Sequence, residues 1–278
     1  MDRGLKIASL AYHDVTDDPS TSGLQRPGAL PYKLGWRAFR AHLDALGAGP
    51  CTPTLVCDVP WTRAGRHLLL TFDDGGKSAL STGEELCRRG WRGHFFIVTS
   101  RIGTRTFLDA SEIRHLRSCG HVVGSHSHTH PDIFRAQTPH RMAEEWRVSC
   151  AILGTLLGEQ CVTASVPGGD ISAAVLRSGA NAGLRYLFTS EPRLGPGQAD
   201  ECWVLGRFTP KVGSSPHQVA RLARFRGWTR ARAVREIKVF ARVALAPLYR
   251  WHVARQSRES APSAAESGGP PVVTAVRR

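Results

Sequence analysis

The chain lacks any long apolar run. None of its 278 residues falls in a stretch that approaches the roughly 18 apolar residues of a membrane-spanning helix. The apolar run near the N-terminus, Ile7 to Tyr12, is too short for the core of a signal peptide, and no small-residue cleavage site follows it. These absences argue against a spanning helix and a secretory signal, and we therefore expect a cytoplasmic protein.

Paired cysteines and phosphate-binding loops are also missing. The seven cysteines are odd in number and scattered, and none forms a Cys-x-x-Cys pair. This disfavours a disulfide framework or a zinc knuckle and predicts reduced, mostly buried side chains. Lys77 follows two glycines, but the Gly-x-x-x-x-Gly-Lys frame of a phosphate loop is absent.

The positive charge is concentrated in one part of the chain. The formal net charge is +14, yet residues 207–278 alone carry 15 basic and 3 acidic side chains. The preceding 206 residues are therefore close to neutral. A high isoelectric point that arises from one segment does not by itself indicate a nucleic-acid-binding protein.

Short apolar runs alternate with helical patterns over most of the chain. The helical segments mostly end at a glycine, the residue that best adopts the left-handed conformation of a helix C-terminus. The predicted strands cover residues 5–11, 67–72, 94–98, 121–124, 162–166, 186–189 and 203–208. Such alternation predicts an α/β fold with a parallel sheet, either open or closed as a barrel.

Polar residues stand directly after several of these strands. Because the carboxyl ends of parallel strands meet at one face of a barrel, we expect these residues to converge there. They are Asp73 and Asp74 after the second strand, His126 after the fourth, Pro167, Gly168 and Gly169 after the fifth, and Ser190 after the sixth.

Two of these groups suggest metal chemistry. Asp73 and Asp74 end an apolar strand, and about fifty residues later His126, His128 and His130 occupy every second position. Adjacent carboxylates repel and are costly to bury, and a cation removes that cost. Either group alone could be structural, since Asp-Asp-Gly is often a turn or a helix cap. Together they are the raw material of a metal-assisted hydrolase.

The segments Thr71-Phe-Asp-Asp-Gly75 and His126-Ser-His-Thr-His130 resemble the motifs of the polysaccharide deacetylase superfamily, the NodB-homology domain of carbohydrate esterase family 4. Tyr12-His-Asp-Val15 resembles the segment that often opens such domains. The resemblance implies a distorted (β/α) barrel of about seven parallel strands, which agrees with the alternation above. We predict a NodB-like catalytic domain over 1–212, a basic amphipathic helical extension over 213–256 and a disordered tail over 257–278.

The resemblance also implies roles for individual residues. Asp74, His126 and His130 would bind a divalent metal ion, with Zn²⁺ favoured over Co²⁺, Ni²⁺ and Mn²⁺. Asp73 would be the general base, and the backbone N–H of Gly168 would stabilise the oxyanion. The residues expected to contact substrate are Pro167, Gly169 and Ser190.

Three features of the family are missing. Its third motif begins with an arginine that orients the catalytic aspartate, but this chain has Ser165 there. No tryptophan matches the fourth motif. The general acid of the Leu-x-His motif is replaced in Leu205-Gly-Arg207, and arginine is a poor proton donor because it stays protonated. Arg207 remains a catalytic candidate by position, and His13 and His128 are the other candidates for the proton donor.

The predicted function is metal-dependent removal of an N-acetyl group from an amino sugar in a polysaccharide, glycolipid or lipid-linked glycan precursor. Two alternatives stay open. One is another linear-amide hydrolase, such as a deformylase. The other is a degenerate deacetylase fold that binds glycan without catalysis, which the missing motif residues favour and the intact Asp-Asp and His-x-x-x-His pairs disfavour.

The basic extension has three interpretations. It is a solvated helix packed on the barrel, or a peripheral contact with anionic lipid at the inner membrane face, or a nucleic-acid-binding segment. The last is the least favoured, because no nucleic-acid-reading motif accompanies the charge.

Overall fold

Eight strands form a single sheet in a computed structural model, which describes residues 4–244 and the side chains as far as Ile237. The order across the sheet is β1-β2-β3-β4-β5-β6-β8-β7, and only β7 runs antiparallel to its neighbour. The strands are β1 Leu5–Tyr12, β2 Gly65–Phe72, β3 His94–Ile97, β4 Val122–Ser125, β5 Thr163–Ser165, β6 Tyr186–Phe188, β7 Gly197–Ala199 and β8 Cys202–Leu205. All seven predicted parallel strands are confirmed. The short β7 was not predicted, because three residues carry no apolar alternation.

Helices connect most of the strands and cover the outer face of the sheet. Those within the described residues are α1 Trp36–Gly47, α2 Ala79–Arg88, α3 Ala110–Ser118, α4 Pro139–Leu157, α5 Ala173–Asn181, α6 Pro216–Ala223 and α7 Trp228–Ala244. Over residues 4–244, none of them is both long enough and apolar enough to cross a bilayer. The predicted disordered tail and the second half of the basic extension, from residue 245 onward, lie outside the described residues.

The sheet curls until the chain beyond β8 meets β1. The N–H of Phe208 donates to the carbonyl of Ser9 (3.0 Å), and the N–H of Ala11 donates to the carbonyl of Phe208 (2.8 Å). These two hydrogen bonds form a parallel bridge between Leu10 and Phe208. The predicted distorted (β/α) barrel is therefore confirmed, and its first and last parallel segments are neighbours.

Alternation along the strands divides the core into an inner and an outer layer. Ile7, Leu69, Phe96, Phe188 and Leu205 come from five different strands and form one buried cluster on the inner face. The intervening residues of β1 and β2 pack against α1 and α2 on the outer face. Strands buried on both faces explain why their sequences are nearly continuous apolar runs.

The ends of α4 illustrate how local sequence sets these elements. The Oγ1 of Thr138 accepts a hydrogen bond from the N–H of Arg141 (3.2 Å), and Pro139 occupies the first helical position, where no N–H is needed. The helix ends at Gly158, which adopts the left-handed conformation with φ 68°. The end at Gly158 agrees with the prediction that the helical segments end at a glycine.

Two wholly buried histidines are uncharged, and each connects two segments of the barrel by hydrogen bonds between its ring nitrogens and the backbone. The Nε2 of His94 accepts a hydrogen bond from the N–H of Val56 (2.9 Å), so its Nδ1–H donates to the carbonyl of Leu70 (2.9 Å). His121 is held in the same way, with one ring nitrogen accepting from a backbone N–H and the other facing a backbone carbonyl. Burial, the largest cause, lowers the pKa of each histidine to about 4.

We expect these histidines to make the fold sensitive to acid. An unfolded histidine binds its proton near pH 6.5, whereas the folded one resists until about pH 4. Stability is therefore lost as pH falls between those values, by about 2 kcal/mol per histidine between pH 7 and pH 5. Urea unfolding of wild type and His94→Gln at both pH values measures it. The variant should lose that share of the pH dependence, whereas the exposed-site control His140→Gln should keep it. An equal loss of stability with pH in wild type and His94→Gln would contradict the assignment.

Candidate active site

A cleft of about 350 Å³ opens at the C-terminal ends of the strands. It brings together the predicted residues of the metal site, the base and the substrate site, although they come from four separate loops. Among the residues that line it are Asp73, Asp74, His126, His130, Pro167, Gly168, Gly169 and Ser190. The expected convergence of polar groups after the strands is confirmed.

Asp74, His126 and His130 form a compact ligand set. The Nε2 atoms of His126 and His130 lie 3.4 Å and 3.7 Å from Oδ1 of Asp74. Ligand atoms placed tetrahedrally at roughly 2.1 Å from one ion are separated by about 3.4 Å. The ring of His126 donates from Nδ1 to the carbonyl of Ser165 (2.9 Å), which leaves Nε2 free to bind a metal. The three residues therefore fit a divalent ion with one open position for water or substrate.

The backbone around this ligand set is strained. Asp74, Ser127 and His130 have φ values of 74°, 63° and 55°, in the left-handed region that residues other than glycine rarely adopt. The carbonyl of Asp74 accepts from the N–H of Val98 (3.2 Å), and Ser127 Oγ accepts from the N–H of His130 (3.1 Å). Such strain persists only where surrounding contacts impose it, and it clusters at functional sites.

Electrostatics favour the metal-binding state at Asp74 and His130 but not at His126. Burial would raise the pKa of Asp74, but the hydrogen bond from His126 and the nearby histidines outweigh it, so the pKa is lowered. Burial, followed by the charge of His126, lowers the pKa of His130 to about 4. An ionised carboxylate and a neutral imidazole are the forms that coordinate a cation. Burial would lower the pKa of His126, but the charge of Asp73 and the hydrogen bond to Asp74 outweigh it, so the pKa is raised and a metal ion would have to displace that proton.

Asp73 is held by a fully buried arginine. Both terminal nitrogens of Arg207 donate to the carboxylate, Nη1 to Oδ1 and Nη2 to Oδ2, each at 2.8 Å. The other N–H groups of Arg207 donate to Thr71 Oγ1 (2.9 Å), Ser165 Oγ (2.7 Å) and the carbonyl of Thr189 (3.0 Å). All five guanidinium donors thus have partners. Burial would raise the pKa of Asp73, but the charge of Arg207 outweighs it, so the carboxylate stays ionised.

These contacts correct two expectations about the missing motifs. We expected no arginine beside Asp73, yet Arg207 occupies that place from the end of β8. Ser165, which stands where the family has its arginine, instead donates to Oδ2 of Asp73 (3.1 Å). Arg207 is also no candidate for the proton donor, because its N–H groups are all engaged and it stays charged. Its contacts give it a positioning role.

The Pro167–Gly169 turn supplies one wall of the cleft. Gly168 has φ 67° and ψ −10°, a conformation that favours glycine. A Cβ on Gly169 would lie 1.9 Å from Oγ of Ser190, so that close approach requires glycine too. The turn and Ser190 therefore stand where a substrate would contact them, and the oxyanion role of the Gly168 N–H stays a prediction.

The two candidate histidines for proton donation lie in different surroundings. His13 follows β1, lines the cleft and packs its ring on Tyr32 with centroids 4.8 Å apart. Its Nδ1 is buried and has no hydrogen-bond partner within the described part of the chain. His128 is not part of the cleft lining and instead pairs its Nδ1 with Oγ1 of Thr99 (3.0 Å). Geometry thus favours His13.

Part of the cleft comes from segments that the sequence analysis did not connect with it. Tyr32 lines it from the end of a short 3-10 helix, Lys211 from a loop, and Val234 and Arg235 from α7. Arg235 donates to the carboxylate of Asp170 (2.5 Å), which follows the Pro167–Gly169 turn. The beginning of the predicted basic extension therefore contributes a wall of the cleft. No motif in the sequence indicates this contact.

Comparison with known proteins agrees with the motifs. A family model described as polysaccharide deacetylase matches residues 62–187, a range that contains the metal ligand set and Asp73 but neither His13 nor Arg207. The peptidoglycan-N-acetylglucosamine deacetylase PgdA of Listeria monocytogenes is 33% identical over 145 residues, which cover 48% of this chain and 29% of that enzyme. The chain therefore matches less than a third of the length of this curated relative.

Solved structures share the fold at lower sequence identity. IcaB from Ammonifex degensii is 21% identical with a TM-score of 0.65, over 80% of this chain and 98% of that one. The Streptococcus pyogenes deacetylase PplD, solved in complex with acetate, is 17% identical with a TM-score of 0.64, over 79% and 98%. At these identities the likeness establishes the barrel fold.

The contacts of Arg207 predict a strong energetic coupling to Asp73. Replacing Arg207 by Met leaves a buried carboxylate without its counter-charge, which should cost about 3–5 kcal/mol in the free energy of unfolding. Adding Asp73→Asn to Arg207→Met removes that charge and should recover part of the loss. Urea unfolding measures both. The exposed-site control Arg63→Met should change stability by less than about 0.5 kcal/mol. A double variant no more stable than Arg207→Met would argue against the coupling.

Proposed function

Because the chain belongs to the polysaccharide deacetylase family, we propose that it hydrolyses the N-acetyl group of an amino sugar in a glycan. The observation that carries the proposal is the cleft itself. An Asp–His–His set that fits a divalent ion lines the same cleft as a second carboxylate, which a buried arginine holds in place. A hydrolase of an unactivated amide needs both an electrophilic centre and a base, and this cleft offers the groups for each.

Asp74, His126 and His130 would hold the metal ion, and Zn²⁺ suits this nitrogen and oxygen ligand set best. Co²⁺, Ni²⁺ and Mn²⁺ are the alternatives that the same ligands accept. When bound, such an ion supplies Lewis acidity and lowers the pKa of water in its coordination sphere. The protein's own contribution is a ligand set that is fixed in place, with pKa shifts that keep Asp74 ionised and His130 neutral.

Asp73 is the proposed general base. The fork of Arg207 occupies one lone pair on each carboxylate oxygen and fixes the plane of the group. Ser165 occupies the second lone pair of Oδ2, so the remaining lone pair of Oδ1 is the one proposed to accept the proton of the attacking water. The Gly168 N–H, in the turn that also lines the cleft, is the proposed donor to the oxyanion that develops on the carbonyl oxygen.

His13 is the proposed proton donor to the departing amine. In families with a Leu-x-His motif the donor follows the strand that here ends with Leu205, but this chain carries Arg207 at that position. The backbone of Phe208 pairs with β1, so His13, at the end of β1, lies on the neighbouring segment of the barrel. A histidine that follows the neighbouring strand is thus able to line the same cleft.

The function is tested by metal content and acetate release with the full chain and N-acetylglucosamine oligosaccharides. We expect about one divalent ion per chain and acetate release that Asp73→Asn lowers by about 10²–10⁴-fold with the ion retained. His126→Ala should lose the ion as well. The matched control Asp58→Asn, at an exposed site, should leave both unchanged.

Other outcomes of this experiment separate the alternatives. Formate release from N-formyl sugars without acetate release would indicate a deformylase. Glycan binding with no hydrolysis of either substrate by the metal-loaded protein would indicate a non-catalytic module. Metal-free protein with intact ligands that cannot be loaded would overturn the proposal.

The role of His13 is tested by comparing two leaving groups. An amine must be protonated to depart, whereas the phenolate of an aryl acetate departs without protonation. His13→Asn should lower kcat on the amide by about 10²–10⁴-fold and spare most of the esterase activity, with the metal content unchanged. His128→Asn is the matched control and should affect neither activity strongly. Equal losses on amide and ester would contradict the proton-donor role.

A further inference from the structure

The exposed apolar side chains of the described region gather around the mouth of the cleft. The large apolar residues that remain exposed over residues 4–237 are Leu30, Val212, Val234 and Ile237, at 51%, 63%, 46% and 69%. Val234 lines the cleft, and Ile237 lies about one turn farther along α7. Val212 follows the cleft-lining Lys211, and its N–H donates to the carbonyl of Pro31 (2.8 Å), which places it beside Leu30. We call these four residues the apolar rim.

Basic side chains stand within the same mouth. Arg135 is exposed, and Lys211 places its Nζ over the ring of Tyr32, 4.5 Å from the centroid. Neither forms an ion pair with a carboxylate among residues 4–237. The acidic residues of the mouth, Asp132 and Asp170, are by contrast paired with Arg26 and Arg235. The mouth therefore presents a surplus of positive charge beside its apolar rim.

We propose that the mouth of the cleft docks on the surface of an anionic lipid bilayer. Aliphatic side chains with adjacent lysine and arginine are the combination that partitions into the headgroup region and is attracted to anionic lipids. Scattered exposed apolar residues are ordinary, but of the four large ones exposed over residues 4–237, one lines the cleft and the other three lie within two positions of a residue that lines it. Two of the four residues of the apolar rim belong to α7, so the proposal gives this helix a role in docking.

The docking surface also indicates which class of N-acetylated sugar is the substrate. This inference rests on the proposed deacetylation. A cleft that opens against a bilayer receives sugars that are anchored in it. A soluble polysaccharide is rich in hydroxyl groups along its length, and four exposed aliphatic side chains gain less from it than from the headgroup and acyl region of a bilayer. We therefore infer that the substrate is an N-acetylated sugar carried on a membrane lipid.

Co-sedimentation of the full chain with vesicles tests the docking. Wild type should bind mixed phosphatidylcholine and phosphatidylglycerol vesicles, bind pure phosphatidylcholine more weakly, and lose affinity as salt is added. The double variant Val212→Asp/Ile237→Asp should lower the affinity for the mixed vesicles by at least about tenfold, because aspartate is costly in a lipid interface. Its matched control, Thr62→Asp/Ser118→Asp, adds the same charge at exposed sites near the opposite end of the barrel and should bind better than the rim variant.

A second pair of variants tests the charge. Lys211→Ala should weaken binding to the mixed vesicles by about fivefold, the effect of one basic residue near an anionic surface. Arg63→Ala removes an equal charge at the opposite end and should have the smaller effect. Equal affinities of wild type, the rim variant and its control would overturn the proposal. So would a dimer that the rim variant dissociates, since a second copy would then cover the rim.

Activity assays separate the failure of this proposal from that of the proposed function. Val212 and Ile237 do not line the cleft, so the rim variant should release acetate from soluble oligosaccharides as wild type does. On an N-acetylglucosamine glycolipid held in the mixed vesicles, its kcat/KM should fall at least about tenfold. Equal rates on the glycolipid would overturn the docking while leaving deacetylation intact. Absence of acetate release from any substrate, with vesicle binding preserved, would instead refute the deacetylase.

Discussion

The buried ion pair between Arg207 and Asp73 is the constraint around which the top of the barrel is arranged. Removing two charges from water is costly, and their attraction offsets this only where the geometry is good and the remaining donors are satisfied. Here the fork is bidentate and every other guanidinium N–H has an acceptor. The acceptors come from β2, β5 and the segment after β6, so a single side chain fixes the relative positions of three strand ends.

Two neighbouring carboxylates can perform different tasks because the backbone separates them. Asp73 continues the alternation of β2 and points to the inner face, like Thr71 two residues earlier. Asp74 adopts φ 74° and turns its carboxylate toward His126 and His130. Each carboxylate thus has its own positively charged or metal-binding surroundings, and the repulsion expected between adjacent charges is removed. The left-handed strain at Asp74 is the cost of that separation.

Much of the fold and half of the site could be predicted from the sequence, and the rest could not for definable reasons. Apolar runs and capping signals locate the parallel strands and helices, because these depend on local sequence. The metal ligand set was predictable because its residues lie in two short motifs. Arg207 was correctly matched to a motif position, but it was interpreted only as a missing histidine. That it pairs with Asp73 was not predicted, because the partner depends on which side chains share the inner face. Leu205 and Arg207 alternate onto the face of Thr71 and Asp73, and only the closed barrel reveals that match. The cleft wall from α7 depends on a packing contact that leaves no periodic signal.

The backbone pairing of Phe208 with β1 links closure of the barrel to assembly of the cleft. Asp73 and Arg207 are separated by 134 positions, and their meeting requires the two ends of the sheet to come together. Contacts between residues so far apart in the sequence form slowly, because closing the long loop between them costs conformational entropy before the contact is made. Before that event Asp73 remains solvated with an ordinary carboxylate environment, and His13 has no cleft to face. Closure of the barrel and formation of the Asp73–Arg207 pair therefore depend on the same long-range approach, so the cleft acquires its buried ion pair only when the two ends of the sheet meet.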